Sequence, residues 1–482
     1  MSNRIIEKYK NLPIPAKATL WFIACNFFLK GISFFTSPIF TRLLPTDEYG
    51  KLSVFLSYEQ LFMILSTWEI HIGAYQKGLF KYSNDVEFFT SSSLSLMNLI
   101  TITLFLIVIV FNKTISTVTE LPISSLVTMF FYLLLFPAYS CWIVKKRKTY
   151  EYKAAIVITI LYSFVVVLIP ILALLIFNRT ATIKINAQLI AASCFSLFFY
   201  IPSIRSIFKS YSKEKLKTYW IFCIRFEGPL VFHSLSFLIL SQADRIMIGK
   251  MIGNTQAAYY SVSYALASVV IILMNSMNQT LTPWRYQKIE NQEFSLISKV
   301  TTKLLIILGG MILVFIMIAP EIMKILYPKD YFEGIWCIPP ISASIFFMFM
   351  YTVFVNVEEY FEETKYVVIV STICGIINIV LNYFGIFLFG YIACAYTTLI
   401  SYILFAIGHY FFMQRILHKA SVKNEVVCLK CIVCISVVFL LLVLTNSIFY
   451  NLIYVRYSLL IILVILAFIF KKRLLDAFSL LR

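Results

Sequence analysis

The feature that most constrains this chain is a series of apolar segments that follow one another from end to end. A membrane-spanning helix needs roughly 20 apolar residues, and about fourteen segments of that length are present. They are centred near Phe27, Phe62, Leu104, Leu133, Val166, Cys194, Leu235, Val269, Gly310, Phe346, Ile373, Leu399, Phe439 and Ile465. Only 13% of the 482 residues are charged, whereas about a quarter are charged in soluble domains. We therefore predict an all-α integral membrane protein with short loops and no soluble domain.

The net charge of +18 is concentrated in particular loops. The basic clusters lie at the termini or after even-numbered segments: Arg4–Lys17, Lys145–Lys153, Arg205–Lys217, Arg285–Lys299, Arg415–Lys430 and Lys471–Arg473. Cations are fewer after odd-numbered segments: Arg42, Lys113, Arg179, Lys184, Arg245, Lys250, Lys324, Lys329 and Arg456. Because cytoplasmic loops of membrane proteins are enriched in Lys and Arg, this asymmetry predicts cytoplasmic termini and an even number of spans. It argues against a nucleic-acid partner.

Two of the basic clusters serve as linkers that suggest a division of the chain. We predict a six-helix bundle in residues 1–210, a second one in residues 211–420, and an additional helix pair in residues 421–482. A short repeat supports the first two parts, since Pro45–Gly50 and Gly253–Tyr259 both place a Thr-containing polar turn before a Tyr and a new segment. Parallel repeats of this kind build transporters whose halves move around a central site.

Three stretches form recognisable motifs: Thr364–Tyr402, with the paired Asn378 and Asn382, then Thr41–Gly50 and Asp244–Gly249. They resemble the polysaccharide exporter branch, the Wzx-type flippases, of the multidrug/oligosaccharidyl-lipid/polysaccharide transporter superfamily. The sequence departs from the family pattern at Phe387–Gly390, where members often have a Pro-containing turn. It also has Cys394 at a position that usually holds a smaller residue.

This resemblance implies two six-helix bundles that form a V around a central cavity, with two further helices at the C-terminal end. It also implies a function: moving polyprenyl-pyrophosphate-linked oligosaccharide repeat units from the inner to the outer leaflet of the cytoplasmic membrane. The product would be O-antigen, capsule or another surface polysaccharide. Coupling to H⁺ or Na⁺, contact with membrane lipid, and partnership with a polymerase and a chain-length regulator are further expectations. We expect no cofactor and no enzymatic activity.

Four residues are candidates for substrate binding in such a cavity. Lys30 lies near the middle of segment 1, too far from either end for its ammonium to reach the interface, and is the clearest candidate for a pyrophosphate ligand. The alternatives are an ion pair with a carboxylate inside the bundle and a misassigned position of the segment. Arg225 lies early in segment 7 and suits the same role, unless it lies at the cytoplasmic interface. Asn275 and Asn278 of segment 8 bind either substrate or a neighbouring helix.

Three further residues are candidates for ion coupling, which requires a group that binds a proton or Na⁺. Glu227 and His233 lie in segment 7, and the alternatives for them are an interfacial position and a structural hydrogen bond. Glu359 belongs to the acidic group Glu358–Glu363, which is too dense for us to expect burial, so that most of it should be solvated. Glu69 and His71, at the end of segment 2, are weaker candidates.

Three residues are assigned a structural role. Asn378 and Asn382, four residues apart, share one helix face and are expected to bind neighbouring helices. Asp244 at the end of segment 7 is also assigned a structural role. Cys428, Cys431 and Cys434 are expected to be small buried hydrophobes rather than metal ligands.

Other functions stay open at this point. A lipid II flippase would have the same number of spans, and a drug/cation antiporter belongs to the same superfamily. A membrane polysaccharide polymerase is disfavoured, because such enzymes usually carry a large outer loop. No Gly-x-x-x-x-Gly-Lys-Ser/Thr loop is present, so ATP bound to this chain is not expected to supply energy.

Overall fold

The computed structural model describes residues 13–209, 212–363, 365–422 and 426–469. In these ranges the chain forms fourteen helices of 17 residues or more. They are α1 (Ile14–Leu43), α2 (Thr46–Thr67), α3 (Val86–Val110), α4 (Ile123–Lys148), α5 (Tyr152–Ile176), α6 (Ala181–Lys209), α7 (Lys213–Met251), α8 (Asn254–Glu290), α9 (Phe294–Leu326), α10 (Ile338–Tyr360), α11 (Lys365–Phe389), α12 (Ala393–Lys419), α13 (Leu429–Ile448) and α14 (Ile453–Ile469). Each predicted segment centre falls within one of them. The expected basic groups at Arg4–Lys10 and Lys471–Arg473, and Thr364, lie outside the described residues.

Twelve of these helices are long and apolar enough to cross a membrane, all except α2 and α14. In α14 the apolar stretch is shorter, Ile453–Leu466. In α2 the first turns carry Asp47, Glu48 and Lys51, which lowers its mean hydropathy. The prediction of an all-α, multi-pass membrane protein is confirmed.

The two turns that carry the predicted repeat have the same design. Leu44 and Pro45 join α1 to α2, and Ile252 and Gly253 join α7 to α8, so each connection is two residues long. Gly253 has φ 147°, a conformation that a side chain would oppose.

The chain separates into two compact units, Met1–Leu235 and Ser236–Arg482, whose boundary lies inside α7. The predicted division at residues 210 and 420 was made on different grounds and stays a prediction. In the first unit α6 packs against α3, α4 and α5, and α1 packs on α5. A short helix, Ala74–Lys81, follows α2 and packs against α3 and α4.

The core of the first unit lies where this short helix meets α3. Tyr75 and Phe89 are fully buried there, with parallel rings 5.8 Å apart. Burial of a large aromatic side chain contributes about 1.5–3 kcal/mol. The short helix is therefore fixed to the bundle, although it is too short to be stable by itself.

In the second unit α10 is the central helix, packed against α8, α9, α12 and α13. Phe346 of α10 stacks on Phe439 of α13 at 4.4 Å. Arg456 of α14 binds Glu321 of α9 at 2.5 Å. Both helices of the additional pair are thus joined to the rest of the second unit, α13 by an aromatic contact and α14 by an ion pair.

The cysteines of α13 lie differently from the prediction. Cys428 and Cys431 are half-buried and Cys434 is exposed, so the expectation of burial was wrong. The reason is that α13 packs on α9 and α10 with one face, and a helix at the edge of a membrane bundle presents its other face to lipid. Among the described residues, no group of three or more His, Cys, Asp or Glu side chains is placed to hold a metal ion.

Candidate functional site

Lys30 lies on the exposed side of α1. It is thirteen residues from the end of the helix at Leu43, a distance of about 20 Å along the axis. In the part of the chain that the structure describes, no carboxylate lies within ion-pair distance of its ammonium. An exposed cation at this depth is costly in hydrocarbon, so it requires water or an anion beside it.

Arg225 and Glu227 occupy opposite sides of α7, as their separation by two residues predicts. Arg225 is exposed, whereas Glu227 is only 3% exposed. The Oε1 atom of Glu227 accepts a hydrogen bond of 2.5 Å from the backbone N–H of Ala74. Ala74 is the first residue of the short helix Ala74–Lys81. The carboxylate therefore lies at a helix N-terminus, where the partial positive charge of unpaired N–H groups stabilises an anion.

Gly73 makes this contact possible. A Cβ atom at this position would lie 2.0 Å from Oε1 of Glu227, far inside van der Waals contact. The Glu227 carboxylate occupies the space that the side chain of any residue other than glycine would need at position 73.

A second hydrogen bond joins α7 to the segment that follows α2. The Ser234 hydroxyl of α7 donates to Oε2 of Glu69 at 2.5 Å. Glu69 and the preceding Trp68 have φ values of 55° and 49°, so the chain turns sharply after α2.

His233 is half-buried beside Ser234 on α7. His71 is buried and packs edge-to-face on Phe136 at 6.1 Å.

The two asparagines of α8 have different surroundings. Asn275 is exposed, which is compatible with contact to a substrate. Asn278 is half-buried, and its Oδ1 accepts a hydrogen bond of 3.2 Å from Thr352 of α10. This contact favours the alternative of helix packing for Asn278.

Asp244, Asn378 and Asn382 are brought together in one buried network. Asp244 of α7 is fully buried and accepts hydrogen bonds from Asn382 at 2.5 Å and from Thr398 at 2.8 Å. The Tyr260 hydroxyl donates to the same carboxylate. Four helices, α7, α8, α11 and α12, therefore meet at one side chain.

The asparagines extend this network along α11 and α12. Asn382 donates to Oδ1 of Asn378 at 3.2 Å and accepts from Thr397. Asn378 donates to Ser401 at 3.2 Å. The bonds to Asp244 join α8, α11 and α12 to the part of α7 that belongs to the second unit.

The acidic group at the end of α10 requires a correction. Glu358 is fully buried and bonded to His409 of α12, with 2.9 Å between Oε1 and Nδ1. The expectation that this group is too dense for burial was therefore wrong for Glu358. Neighbouring residues on a helix point about 100° apart, so Glu358 faces α12 while Glu359 is exposed and accepts a hydrogen bond of 2.9 Å from Tyr286.

Other buried ionisable residues were not recognised from the sequence. Lys184, which was counted among the outer-loop cations, lies inside α6 with 4% of its surface exposed, over the ring of Phe40 at 4.9 Å. It interacts electrostatically with Glu59 of α2. Arg285 of α8 is also buried and donates to Asn356 at 2.8 Å. In a sequence, the only signal for such residues is a charge flanked by apolar residues at helical spacing.

The family model described as polysaccharide biosynthesis protein matches residues 16–288. The chain belongs to this family. A second model, MatE, matches residues 229–384, so the two matches overlap on α7 and α8 and together reach α11.

A curated relative is Lsg locus putative protein 1 of Haemophilus influenzae, 29% identical over 99 residues. The aligned part covers 20% of this chain and 24% of that relative's length.

Solved structures share the fold at low sequence identity. Lipid II flippase MurJ in an inward closed conformation matches with a TM-score of 0.66 and 16% identity, over 94% of this chain and 99% of that one. An inward-facing multidrug resistance MATE family transporter of the MOP superfamily matches with a TM-score of 0.68 and 12% identity, over 82% and 96%. The predicted superfamily and fold are confirmed.

Proposed function

We propose that this protein is a flippase. It moves polyprenyl-pyrophosphate-linked oligosaccharide repeat units from the cytoplasmic to the outer leaflet of the cytoplasmic membrane, with both of its termini in the cytoplasm. The product is O-antigen, capsule or another surface polysaccharide. The observation that carries this proposal is the family match over residues 16–288, which includes two helices with exposed cations.

The position of those cations supports an anionic substrate. Lys30 and Arg225 are exposed side chains on apolar helices. A pyrophosphate needs a positive counter-charge in order to pass a hydrocarbon core about 30 Å thick. Arg binds phosphate oxygens through two parallel hydrogen bonds and Lys acts as a point charge, so the pair suits a diphosphate. Exposed Asn275, and Asn278 if its bond to Thr352 breaks, would bind sugar hydroxyls.

An ion gradient, of H⁺ or Na⁺, is proposed as the energy source. Glu227, His233 and Glu359 are the candidate coupling residues. In the conformation described here Glu227 is bonded to the short helix Ala74–Lys81. A change in its protonation would weaken this bond, because a neutral carboxyl interacts less strongly with a helix N-terminus. Polymerase and chain-length regulator proteins are the proposed protein partners.

The test is depletion of the protein in its host, followed by extraction of the polyprenyl lipids. We expect intact repeat units to accumulate on lipid that an impermeant probe cannot reach from outside. Single repeat units on the outer leaflet would instead indicate a polymerase. If no lipid-linked glycan accumulated at all, the flippase proposal would be wrong.

A further inference from the structure

The pair formed by Glu358 and His409 is unusual in a helix bundle because both side chains are completely buried. Each has 0% of its side-chain surface exposed, and Oε1 of Glu358 lies 2.9 Å from Nδ1 of His409. The bond joins α10 to α12. Nε2 of His409 and Oε2 of Glu358 have no hydrogen-bond partner among the described residues.

The surroundings of the pair are aromatic. The Tyr351 ring stacks on the His409 ring at 5.8 Å with an interplanar angle of 29°. Phe405 packs edge-on against the same imidazole at 4.5 Å and also contacts Tyr351 at 4.5 Å. Because both side chains of the pair are fully buried, a charge on the pair is poorly screened.

No cation in the described part of the chain is placed to neutralise the pair. Of the helices packed against α10, α8 contributes Arg285 and Tyr286, which bind Asn356 and Glu359 instead. Glu359 on α10 itself is the other charged group that acts on Glu358, and it has the same sign. In the described parts of α9, α11 and α13 no ionisable side chain is found to act on Glu358.

The net charge of the Glu358–His409 pair determines how many protons it binds. An ionised Glu358 beside a neutral imidazole leaves one net negative charge in a site without a counter-ion, which is costly. One added proton makes the pair neutral overall, whether that proton rests on Nδ1 as imidazolium or on the carboxyl group. The closed geometry therefore favours one bound proton, and access of water to Nε2 and Oε2 would permit its release.

We propose that Glu358 and His409 form a proton-binding site that couples export to the proton gradient. The site binds one proton while α10 and α12 are packed together, and releases it when their ends separate. Glu358 lies two residues before the end of α10, on the side predicted to be cytoplasmic, so the proton would leave toward the cytoplasm. The coupling part of this inference rests on the proposed flippase function.

The first test measures the proton directly and does not depend on transport. The full chain contains four histidines, so selective ¹⁵N-histidine labelling gives few imidazole signals, and the His409 signal is assigned with His409→Gln. Nε2 carries a proton in both neutral forms of the pair, whereas in the anionic form Nδ1–H donates to the carboxylate and Nε2 is unprotonated. We expect a protonated Nε2 at His409 in the wild-type protein; an unprotonated Nε2 would show that the pair binds no additional proton and would overturn the proposal.

The second test measures coupling in proteoliposomes loaded with the lipid-linked glycan extracted from depleted cells. With one proton exchanged for each lipid, a gradient of one pH unit sustains about a tenfold leaflet ratio. We expect this ratio in the wild-type protein and a ratio near unity in Glu358→Gln and His409→Gln, which still equilibrate the lipid between leaflets. Glu290→Gln and His418→Gln, exposed residues at the ends of α8 and α12, are matched controls and should keep the wild-type ratio.

The outcomes separate the two proposals. A wild-type leaflet ratio in Glu358→Gln, or a ratio set by a Na⁺ gradient instead of the pH gradient, would overturn the coupling role. A bound proton at His409 in a wild-type protein that moves no lipid would support the proton site and refute the proposed flippase function.

Discussion

At the scale of single residues, Gly73 shows how tightly two parts of the first unit fit together. Its position against Glu227 leaves no space for a Cβ atom. In Gly73→Ala we expect Oε1 to be displaced from the Ala74 N–H group. The free energy of unfolding should fall by about 1–3 kcal/mol, because a buried acceptor and a helix N–H lose their partner.

Thermal unfolding of the detergent-solubilised protein measures this effect. Gly310→Ala in α9 is the matched control, since nothing lies within 4 Å of a Cβ at that position. There the change should be neutral or stabilising, by up to about 1 kcal/mol, because alanine loses less backbone entropy in a helix. Equal effects at both positions would show that Glu227 moves aside without cost.

Substitution of Lys30 tests whether this side chain binds the substrate. Lys30→Ala should strongly reduce surface polymer without lowering the amount of protein in the membrane, because it removes a counter-charge for the substrate. Lys30→Arg should retain part of the activity. Lys113→Ala is the control, since Lys113 is exposed on the short helix Asn112–Thr119. Normal polymer levels in Lys30→Ala would contradict the cavity-cation role.

At the scale of helices, Asp244 holds four elements of the second unit together. Its carboxylate accepts from Asn382, Tyr260 and Thr398. Asp244→Asn replaces one acceptor oxygen with an NH₂ group that faces donors. We expect the free energy of unfolding to fall by about 1–3 kcal/mol through unsatisfied buried groups, measured as a lower thermal midpoint. Asp330→Asn, at an exposed carboxylate, should leave the midpoint unchanged.

The turn between α10 and α11 has a pH-dependent contact. Glu363 binds Lys365 and Lys419, each at 2.8 Å. The hydrogen bonds to these two lysines lower the pKa of the Glu363 carboxyl from 4.5 to about 2, and Lys365 has the larger effect. Because the pKa is lower in the folded state, the stabilisation is complete above pH 4.5 and is lost as the pH falls toward 2.

Glu363→Gln tests this contact. The wild-type protein should unfold at a higher temperature than the variant at pH 7, and the difference should shrink progressively below pH 4.5. The difference should be small and should also decrease in high salt, since the pairs are partly exposed. A difference that is constant with pH would mean that Glu363 acts through packing alone.

For the protein as a whole, the positions of the helices are predictable from the sequence, whereas the contacts between distant helices are not. All fourteen helix positions were predictable, because each span needs its own run of about 20 apolar residues. Asn378 and Asn382 were expected to share one helix face because they are four residues apart. The bond from Asn382 to Asp244 joins residues 138 positions apart, and no local pattern records such a distance.

The local sequence does not determine which ionisable residues are buried. Glu358 and Glu359 are adjacent and chemically identical, yet one is buried against His409 and the other is exposed. Their difference depends on where α12 packs, which the sequence of α10 does not contain. Lys184 was counted among the cations of the loops after odd-numbered segments, although it lies in α6 and is buried against Phe40 of α1.

The orientation of the whole molecule depends on α2, which is less apolar than its neighbours. Its 22 residues span about 33 Å, enough to cross a hydrocarbon core. Its charges at Asp47, Glu48 and Lys51 lie in the first turns, where water or headgroups would solvate them. Within the helix, Glu59 interacts with Lys184. We therefore predict that α2 crosses the membrane.

Cysteines introduced in the first turn of α2 and in the short helix Ala74–Lys81 that follows α2 test this prediction in a background without the native exposed cysteines. An impermeant thiol reagent should label Asp47→Cys in intact cells, and should label Gln76→Cys only after permeabilisation. Both positions are exposed, so lack of labelling reports topology rather than burial. If both reacted from the same side, α2 would not cross, every later loop would be inverted, and the basic loops would face outward against the charge rule. The proposed direction of export depends on this result, since substrate must enter from the leaflet in which it is made.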